Sequence, residues 1–390
     1  MNKKKGSKVV PNVRFKGFTD DWKQRKLGEV CLRVQGNDGR MDLPTLTISA
    51  SNGWMNQEDR FSGNIAGKEQ KNYTLLHKGE LSYNHGNSKL AKYGTVFSLQ
   101  SYKEALVPRV YHSFKVEKGS PDFIEYYFAT KLPDRELGKL ISSGARMDGL
   151  LNIGYNEFMG IQMLFPSVEE QKQISNYFRS LDHLITLHQQ KITLLTKLKK
   201  TMLEKMFPKK GSVIPEFRFN GFANAWEQRK LSDVVDSVDT GKSKFDKEGS
   251  SGEYPILGST SVIGYDDEYD YEGDFILTAR VGANAGSLYR HAGKVKISDN
   301  TVFIQASQNI EFLYQLLIRF DIKRLSFGTG QPLVKASELK RLELMMPTDM
   351  EEQMRIGVYF KNLDHLITLH QRKLDMLKKL KSACLSEMFI

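Results

Sequence analysis

The feature that most constrains this chain is an internal repeat made of two separate segments. Residues 10–30, VPNVRFKGFTDDWKQRKLGEV, return at 214–234 as IPEFRFNGFANAWEQRKLSDV, 204 positions later. Residues 167–189, SVEEQKQISNYFRSLDHLITLHQ, return at 349–371 as DMEEQMRIGVYFKNLDHLITLHQ, 182 positions later. Such internal similarity decides how the rest of the sequence is interpreted, because each copy is expected to fold as a similar unit.

The stretches between the repeated segments are not repeated. The two offsets differ by 22 positions, and residues 31–166 share no marked identity with residues 235–347. A protein of stacked repeats keeps its units alike, because each unit packs on the next. We therefore predict a duplicated frame that carries two different globular inserts. The predicted organisation is an N-terminal repeat segment at 1–30, a first insert at 31–166, a helix at 167–207, a linker with the second copy of the N-terminal segment at 208–234, a second insert at 235–347 and a C-terminal helix at 348–390.

The second repeated segment predicts a long helix in each copy. Apolar residues recur every seven positions, which is typical of a coiled-coil seam. Pro208 and Gly211 end the first helix. Two such helices pair most simply in antiparallel orientation, which gives the chain a pseudo-twofold axis. The predicted seam residues are Ile174, Leu181, His188 and Leu195 in the first copy and Ile356, Leu363, His370 and Leu377 in the second.

Two kinds of repeated residue have more than one interpretation. The histidines at 183, 188, 365 and 370 suggest a metal site or a pH switch, but a polar seam residue that fixes the register is favoured. The sequence therefore assigns no metal ligand. Trp22 and Trp226 indicate either core packing or a place where partners dock.

Both inserts show strands followed by a helix. Residues 80–85, 94–100 and 106–116 are predicted strands of the first insert, and 121–141 is predicted to be mainly helical. The second insert repeats this order at 275–282, 287–297, 300–306 and 309–325. The predicted fold class is α+β, with two globular mixed α/β domains related by pseudo-twofold symmetry and separated by an antiparallel pair of long coiled-coil helices.

Composition and charge narrow the possible functions. The chain has 390 residues, of which 40% are hydrophobic and 26% charged, as is typical of a soluble protein with several domains. The net charge of +11 suggests a polyanionic partner, but residues 235–347 are net negative, so contacts must come from local clusters. The two cysteines lack metal-ligand spacing, and no stretch is apolar enough to span a bilayer. We expect a cytoplasmic protein without bound metal.

Motifs for catalysis are incomplete. Residues 240–243, TGKS, resemble the end of a phosphate-binding loop, but Asp236 stands where its first glycine is required. The chain has no Pro-Pro dipeptide, so the Asn/Asp-Pro-Pro-aromatic element of amino-methyltransferases is missing. Asp122 and Glu125 are not followed by a Glu-x-Lys pair, and helix capping is the favoured role of Asp122. We expect no catalysis by this chain.

The order of these motifs resembles that of the specificity subunits of type I DNA restriction-modification enzymes. The frame PxxRFxGFxxxWxQRKL, a globular stretch, a proline followed by EEQxxI, and a leucine-rich helix occur twice and cover the entire chain. The resemblance is carried by EEQKQI at 169–174, EEQMRI at 351–356, the paired LDHLITLHQ segments, ILTARVGANAG at 276–286 and GTGQP at 328–332.

This resemblance implies a non-catalytic protein that binds double-stranded DNA. The inserts would be target-recognition domains that each read one half of an asymmetric bipartite sequence. The repeated helices would hold the inserts apart and dock two methyltransferase subunits, which would hold S-adenosylmethionine for adenine methylation. ATP and Mg would belong to separate restriction and translocase subunits. The chain itself would bind no cofactor and no membrane.

Candidate DNA contacts follow from side-chain chemistry. Lys and Arg bind phosphates and guanine, whereas Asn and Gln bind adenine. The acidic run at 266–274 would repel phosphates and is left outside the interface. The alternative for each candidate is an ordinary solvated surface. The predicted contacts are Asn87, Lys89, Lys92, Tyr93, Arg109 and Arg146 in the first insert and Lys242, Lys244, Arg280, Arg290, Thr329, Gln331 and Lys335 in the second.

Two other functions stay open at this level. The chain is alternatively a coiled-coil scaffold whose inserts bind proteins and not DNA. It is alternatively a stand-alone tandem DNA-binding regulator that needs no methyltransferase. Steep salt dependence on one bipartite sequence would distinguish DNA binding from a scaffold, and copurification with an S-adenosylmethionine-binding subunit would exclude the regulator.

Overall fold

The two inserts fall into separate units of the structure. A computed structural model describes residues 9–61, 67–141, 149–244, 251–325 and 332–390. One unit comprises Met1–Leu187 and Leu374–Ile390, and the other comprises His188–Lys373. Each unit therefore combines one insert with segments of both long helices. The predicted boundaries between frame and inserts stay predictions.

The first unit mixes short strands with short helices. Helix α2 begins where Ser120 Oγ accepts a hydrogen bond from the backbone N–H of Phe123, with Pro121 in the first turn. The elements, in order, are β1 (Lys23–Lys26), β2 (Cys31–Arg33), β3 (Leu46–Ser49), β4 (Gly53–Asn56), α1 (Gln57–Phe61), β5 (Thr74–His77), β6 (Leu81–Asn84), β7 (Thr95–Ser98), β8 (Glu104–Val107), β9 (His112–Val116), α2 (Pro121–Ala129), α3 (Asp134–Leu140), α4 (Tyr155–Met159), β10 (Gln162–Phe165) and the first part of α5 (Val168–Lys205).

The second unit has fewer and longer strands. After the end of α5, its elements are β11 (Glu227–Lys230), β12 (Ser237–Thr240), β13 (Tyr254–Leu257), β14 (Val262–Asp266), β15 (Tyr271–Ala279), β16 (Leu288–Ile297), β17 (Thr301–Gln305), α6 (Ile310–Phe320), α7 (Ala336–Lys340), β18 (Glu343–Met346) and the first part of α8 (Met350–Glu387).

Both inserts contain four neighbouring antiparallel strands in the same order. The order is β2-β9-β6-β7 in the first insert, where these strands form a whole sheet, and β12-β17-β15-β16 in the second, where they belong to a six-stranded sheet. Every adjacent pair within each set of four is antiparallel. We call each set of four strands the core sheet of its insert. The inserts therefore share a topology, although their sequences show no marked identity.

The remaining strands of the inserts also correspond. In the first insert, β3 pairs with β4, β5 pairs with β8, and a parallel bridge joins Thr45 to Leu106. In the second, β13 pairs with β14, the first part of β15 pairs with the last part of β16, and β13 is parallel to β16. Strand β15 thus corresponds to β5 and β6 together, and strand β16 corresponds to β7 and β8 together. Gly273 and Gly293, both at positive φ, face each other where those strand pairs are interrupted in the first insert.

The long helices are antiparallel within each unit, as the sequence predicts. In the first unit, Lys381 Nζ lies 2.5 Å from Asp182 Oδ1. In the second unit, Lys199 Nζ lies 2.6 Å from Asp364 Oδ1, and the Nδ1 atoms of His188 and His370 are 2.9 Å apart. The remaining predicted seam residues lie in the two cores: Ile174, Leu181, Leu195, Ile356 and Leu363 are buried, and Leu377 packs against the first core.

Each repeated N-terminal segment supplies one strand of a two-stranded pair at the point where the chain enters and leaves its insert. Strand β1 pairs with β10, and β11 pairs with β18, both antiparallel, so the chain enters and leaves each insert on neighbouring strands. Trp22 and Trp226 precede these strands and are 3% and 2% exposed. Their burial supports core packing, the simpler of the two interpretations.

Three predicted elements are interrupted. The strand predicted at 106–116 breaks at a turn in which Tyr111 N donates to Pro108 O, because proline has no N–H to continue the ladder. The helix predicted at 121–141 divides near Lys131, and the helix predicted at 309–325 ends at Phe320, because Lys131 and Asp321 both have positive φ. Among the helices of the described residues, none is long and apolar enough to cross a membrane.

Candidate nucleic-acid interface

One end of the core sheet gathers the loops that carry most of the predicted DNA contacts. In the first insert, β2 and β6 end there and β7 and β9 begin there; we call this end, with residues 34–36, 85–94 and 108–111, the first loop edge. In the second insert, β12 and β15 end and β16 and β17 begin at the corresponding end. Residues 241–244, 280–287 and 298–300 form this second loop edge.

The two loop edges are fixed by matching backbone contacts. Gly86 bridges Leu150 in the first insert, and Val281 bridges Leu333 in the second, both antiparallel. The flanking hydrogen bonds also match, because Leu151 N donates to His85 O at 2.9 Å and Val334 N donates to Arg280 O at 2.8 Å. His85 and Arg280 therefore occupy equivalent backbone positions with different side chains.

Five of the six candidates in the first insert lie on the first loop edge. Asn87 N donates to Gly149 O at 3.0 Å, and Lys89 and Lys92 are exposed in the same connection. Lys92 Nζ lies 5.3 Å from the centre of the Tyr93 ring. Arg109 is exposed on the turn before β9, and Arg146 lies outside the described residues.

A glycine fixes the shape of this connection. Gly94 has φ +81°, and a Cβ at this position would lie 2.4 Å from the carbonyl oxygen of Asn84. The hydroxyl of Tyr83 donates to the carbonyl of Tyr93 at 2.7 Å, which holds the connection against the core sheet. Lys89 and Lys92 are thus presented by an anchored loop.

Four candidates of the second insert come together. Lys242 and Lys244 follow β12, and Arg280 follows β15 with its N–H bound to Asn300 O at 2.9 Å. Lys335 directly follows Val334, which is bound to Arg280 O, and all four side chains are exposed. Thr329 and Gln331 lie outside the described residues.

Arg290 is placed differently from the other candidates. It lies within β16, where its guanidinium is ion-paired with Glu311 and sits 4.3 Å from the centre of the Tyr314 ring. The structure therefore gives Arg290 partners within its own unit, and its contact with DNA stays a prediction.

The acidic run of the second insert lies beside the second loop edge. Asp270 Oδ2 accepts a hydrogen bond from Ser243 Oγ at 2.6 Å. Ser243 stands between Lys242 and Lys244 in the sequence. Asp266 Oδ2 lies 2.9 Å from Lys296 Nζ, which lowers the pKa of this carboxyl. The local charge near these lysines is thus less positive than the lysines alone suggest.

A cleft of about 580 Å³ opens on the first loop edge. Arg33 and Arg109 supply its formal charges, and Arg33 Cζ lies 4.4 Å from the centre of the Tyr155 ring. We call it the arginine cleft. Its other lining residues are mostly polar or aromatic: Val34, Gln35, Gly36, Asn72, Thr74, His85, Val110, Tyr111, His112, Ser113, Leu150 and Tyr155.

His112 is neutral in this cleft at pH 7. Burial lowers its pKa, the charge of Arg33 lowers it further, and a hydrogen bond to Ile153 O partly offsets both effects. Because a carbonyl oxygen only accepts, the ring Nε2, 2.8 Å from Ile153 O, carries the proton. The positive charge of the cleft therefore comes from its two arginines.

Comparison with known proteins gives a consistent answer. Residues 224–379 match the family model described as the type I restriction modification DNA specificity domain. The MjaVIII specificity subunit of a type I restriction enzyme from Methanocaldococcus jannaschii is 25% identical over 295 residues, which cover 67% of this chain and 68% of that protein. The EcoprrI specificity subunit from Escherichia coli is 24% identical over 133 residues, 34% of this chain and 32% of that protein.

A solved structure extends the likeness in fold over nearly the whole chain. The S subunit of a type I restriction-modification system from M. genitalium superposes with a TM-score of 0.67 at 15% identity, over 98% of this chain and 99% of that chain. In sequence and in fold, the chain is thus similar to the specificity subunits of type I restriction-modification enzymes. The resemblance seen in the sequence is thereby confirmed.

The repeated motifs of the chain bind each other within each unit. Arg14 of the first RFxGF segment forms two short hydrogen bonds, 2.6 and 2.7 Å, to the carboxylate of Glu170. Arg218 and Glu352 form the same pair at 2.6 Å in the second unit. The second glutamate of each EEQ motif is therefore a structural partner of the repeated arginine.

Sequence reasoning missed several residues of the arginine cleft. His85 and His112 lie in predicted strands, Arg33 and Tyr155 lie outside the predicted elements, and none of the four belongs to a motif. The signal that points to His85 is structural, because it occupies the backbone position of Arg280. Position in a shared topology, and not residue type, identifies it.

Proposed function

We propose that this chain is the DNA-recognition subunit of a type I restriction-modification complex. The first and second inserts each read one half of an asymmetric bipartite target. The frame docks two methyltransferase subunits and, with them, restriction subunits. The chain acts in the cytoplasm and carries no catalytic group for methylation or cleavage.

The observation that supports this proposal most directly is the pair of loop edges. Two inserts with the same topology present exposed cations and polar residues at the same end of the core sheet, on different side chains. A common scaffold with different edge residues is what two readers of different half-sites require. Lys and Arg at these edges suit phosphates and guanine, and Asn87 suits adenine.

The cofactors of such a complex belong to its other subunits. The sequence lacks a complete phosphate-binding loop and the Pro-Pro element of amino-methyltransferases. S-adenosylmethionine is therefore assigned to the methyltransferase subunits, and ATP and Mg to the restriction subunit. The similarity to specificity subunits of type I restriction enzymes favours this complex over a stand-alone regulator or a scaffold without DNA.

Exchange of one insert tests the proposal. Residues 31–166 are replaced by the corresponding insert of another specificity subunit, and N6-methyladenine motifs are sequenced in a host that expresses the complex. We expect one half of the methylated motif to change, and exchange of residues 235–347 to change the other half. A change in both halves from one exchange, or a motif unaffected by either exchange, contradicts the proposal.

A further inference from the structure

The arginine cleft has an unbalanced charge. Of the described residues that line it, Arg33 and Arg109 are positively charged and none carries a carboxylate. His112 adds no charge at pH 7, because burial and the charge of Arg33 lower its pKa. A concave surface with two cations and no anion concentrates a positive potential and attracts an anionic ligand.

The two arginines of the cleft lack the carboxylate partners that three other arginines of the first unit have. Arg14, Arg40 and Arg179 each bind carboxylates of their own unit. Within the described ranges, neither Arg33 nor Arg109 forms an ion pair, and both are exposed. Their charges are therefore available to an anionic ligand outside the unit.

The cleft also holds one guanidinium in a suitable orientation. Arg33 lies over the face of Tyr155, and this contact uses the face of the guanidinium. The N–H groups lie in the guanidinium plane and stay available for two parallel hydrogen bonds to one phosphate. The exposed side chain of Gln35 adds a neutral donor to the same wall.

The corresponding place in the second insert has different electrostatics. Strand β5 begins at Thr74 on the wall of the cleft, and its counterpart, the first part of β15, begins at Tyr271. Asp270 precedes that strand and accepts a hydrogen bond from Ser243. The residue before the strand is thus Asp270 in the second insert and the neutral Tyr73 in the first.

We propose that the arginine cleft binds a phosphate group of the DNA backbone, held by Arg33 and Arg109. This rests on the proposed function and names the part of the DNA that the first insert holds. His85 and Leu150 line the cleft, and Asn87, which follows them on the same loop edge, is bound to Gly149. A phosphate in the cleft fixes the register of the duplex, so that the loop with Asn87 reads the bases beside it.

Salt dependence of binding tests the proposal on the full-length chain. The probe is a duplex that the chain itself selects from a random pool, and the dissociation constant is measured from 50 to 300 mM NaCl. Each lost phosphate contact makes the slope of log K against log salt shallower by about 0.9. We expect a shallower slope for Arg109→Gln and for Arg33→Gln, a change of about 0.9 for the double variant because both arginines hold the same phosphate, and little change for Arg33→Lys, while the selected sequence stays the same.

Neutral methylphosphonate links, placed one at a time in the duplex, locate the phosphate. One link in the first half-site is expected to weaken binding by the wild-type chain and to add nothing to Arg109→Gln. Arg40→Gln is the matched control, because the Arg40 guanidinium is already bound to Asp38 and Glu104. An equal change of slope for Arg40→Gln overturns the proposal, since any lost cation would then have the same effect.

The remaining outcomes separate this inference from the proposed function. If the wild-type chain selects no duplex, the proposed function fails. If it selects one and Arg109→Gln keeps the wild-type slope, only the arginine cleft is wrong. If sodium phosphate raises the melting temperature of the wild type and not of Arg109→Gln, while both have equal slopes, the ligand is a free anion and the assignment to DNA is overturned.

Discussion

The frame and the inserts of this chain show opposite kinds of conservation between the two halves. The frame repeats individual contacts: Arg14 binds Glu170 as Arg218 binds Glu352, and Phe15 packs edge-on to Tyr177 as Phe219 does to Tyr359. The inserts repeat strand order and backbone bridges with different side chains. Residue identity is kept where side chains bind each other, whereas backbone hydrogen bonds suffice to keep a topology.

The largest effect is expected from the repeated arginines of the frame. The Glu170 and Glu352 side chains are 1% and 0% exposed, so removing the arginine leaves a buried, uncompensated charge. Arg14→Met and Arg218→Met should each lower the free energy of unfolding of their own unit by about 3–5 kcal/mol. Hydrogen exchange of the full-length chain during denaturation, resolved by unit, measures each loss.

A matched pair of controls accompanies this prediction. Arg229 and Glu227 form an exposed ion pair at 3.1 Å, and Arg229→Gln should cost at most about 1 kcal/mol. The double variant Arg14→Met with Glu170→Met should be less destabilised than Arg14→Met alone. If Arg14→Met behaves like Arg229→Gln, the frame does not depend on this pair.

The sequence predicts the frame much better than the inserts. The seam and the antiparallel helices follow from heptad spacing, and the burial of Trp22 and Trp226 decides between the two interpretations that the sequence left open. The shared core sheet does not, because backbone ladders accept many side chains and leave no common residue pattern. Interruptions at Lys131 and Asp321 were equally hidden, since positive φ at a residue other than glycine has no strong sequence signal.

The two halves differ in how a helix of the insert is tied to the long helix. In the first unit, Arg179 of α5 lies 2.5 Å from Asp122 and 3.0 Å from Glu125, both on α2. In the second unit, the equivalent residue Lys361 lies 3.0 Å from Glu311 of α6 and is 59% exposed. Asp122 and Glu125 therefore hold a structural cation. The capping role that the sequence suggested for Asp122 is wrong, because Ser120 is the N-cap of α2 and Asp122 lies in its first turn.

This difference predicts unequal effects of the same substitution. Arg179→Met should lower the stability of the first unit by about 1.5–3 kcal/mol, because it leaves two partly buried carboxylates without their partner. Lys361→Met should cost about 0–1 kcal/mol, because that pair is largely exposed and Arg290 still binds Glu311. Thermal unfolding of both variants checks the ranking, and equal losses would show that the two attachments are equivalent.

The candidate interface was predictable in its residue types and not in its geometry. Exposed Lys, Arg and Asn near glycine-rich loops pointed to Lys92, Arg109 and Arg280, and the structure places these on the loop edges. Arg290 has the same chemistry but binds Glu311, because alternation along β16 turns it toward α6. Arg33 was missed, since a lone arginine at the end of a short strand looks like ordinary surface.

The smallest effect is expected at His188 and His370, which are equivalent residues of the two repeated helices and contact each other. Their Nδ1 atoms are 2.9 Å apart, so one ring donates, the other accepts, and both cannot be protonated there. Burial lowers the pKa of His370 below its ordinary value of 6.5, and the charges of His188, Lys191 and Lys373 lower it further. A histidine with a lowered pKa stabilises the fold above its ordinary pKa, and this contribution is lost as the pH falls below about 6.5.

We therefore expect the second unit to lose about 0.5 kcal/mol between pH 7.5 and pH 5.5 through this pair, the size of a like-charge contact on a helix surface. His370→Asn should remove that part of the pH dependence, because the variant no longer has two imidazole rings whose contact opposes protonation. His365→Gln is the control, since it removes an exposed histidine from the same helix and leaves the pair of His188 and His370 intact. Equal pH profiles for His370→Asn and the wild type would mean that the pair fixes helix register without responding to protons.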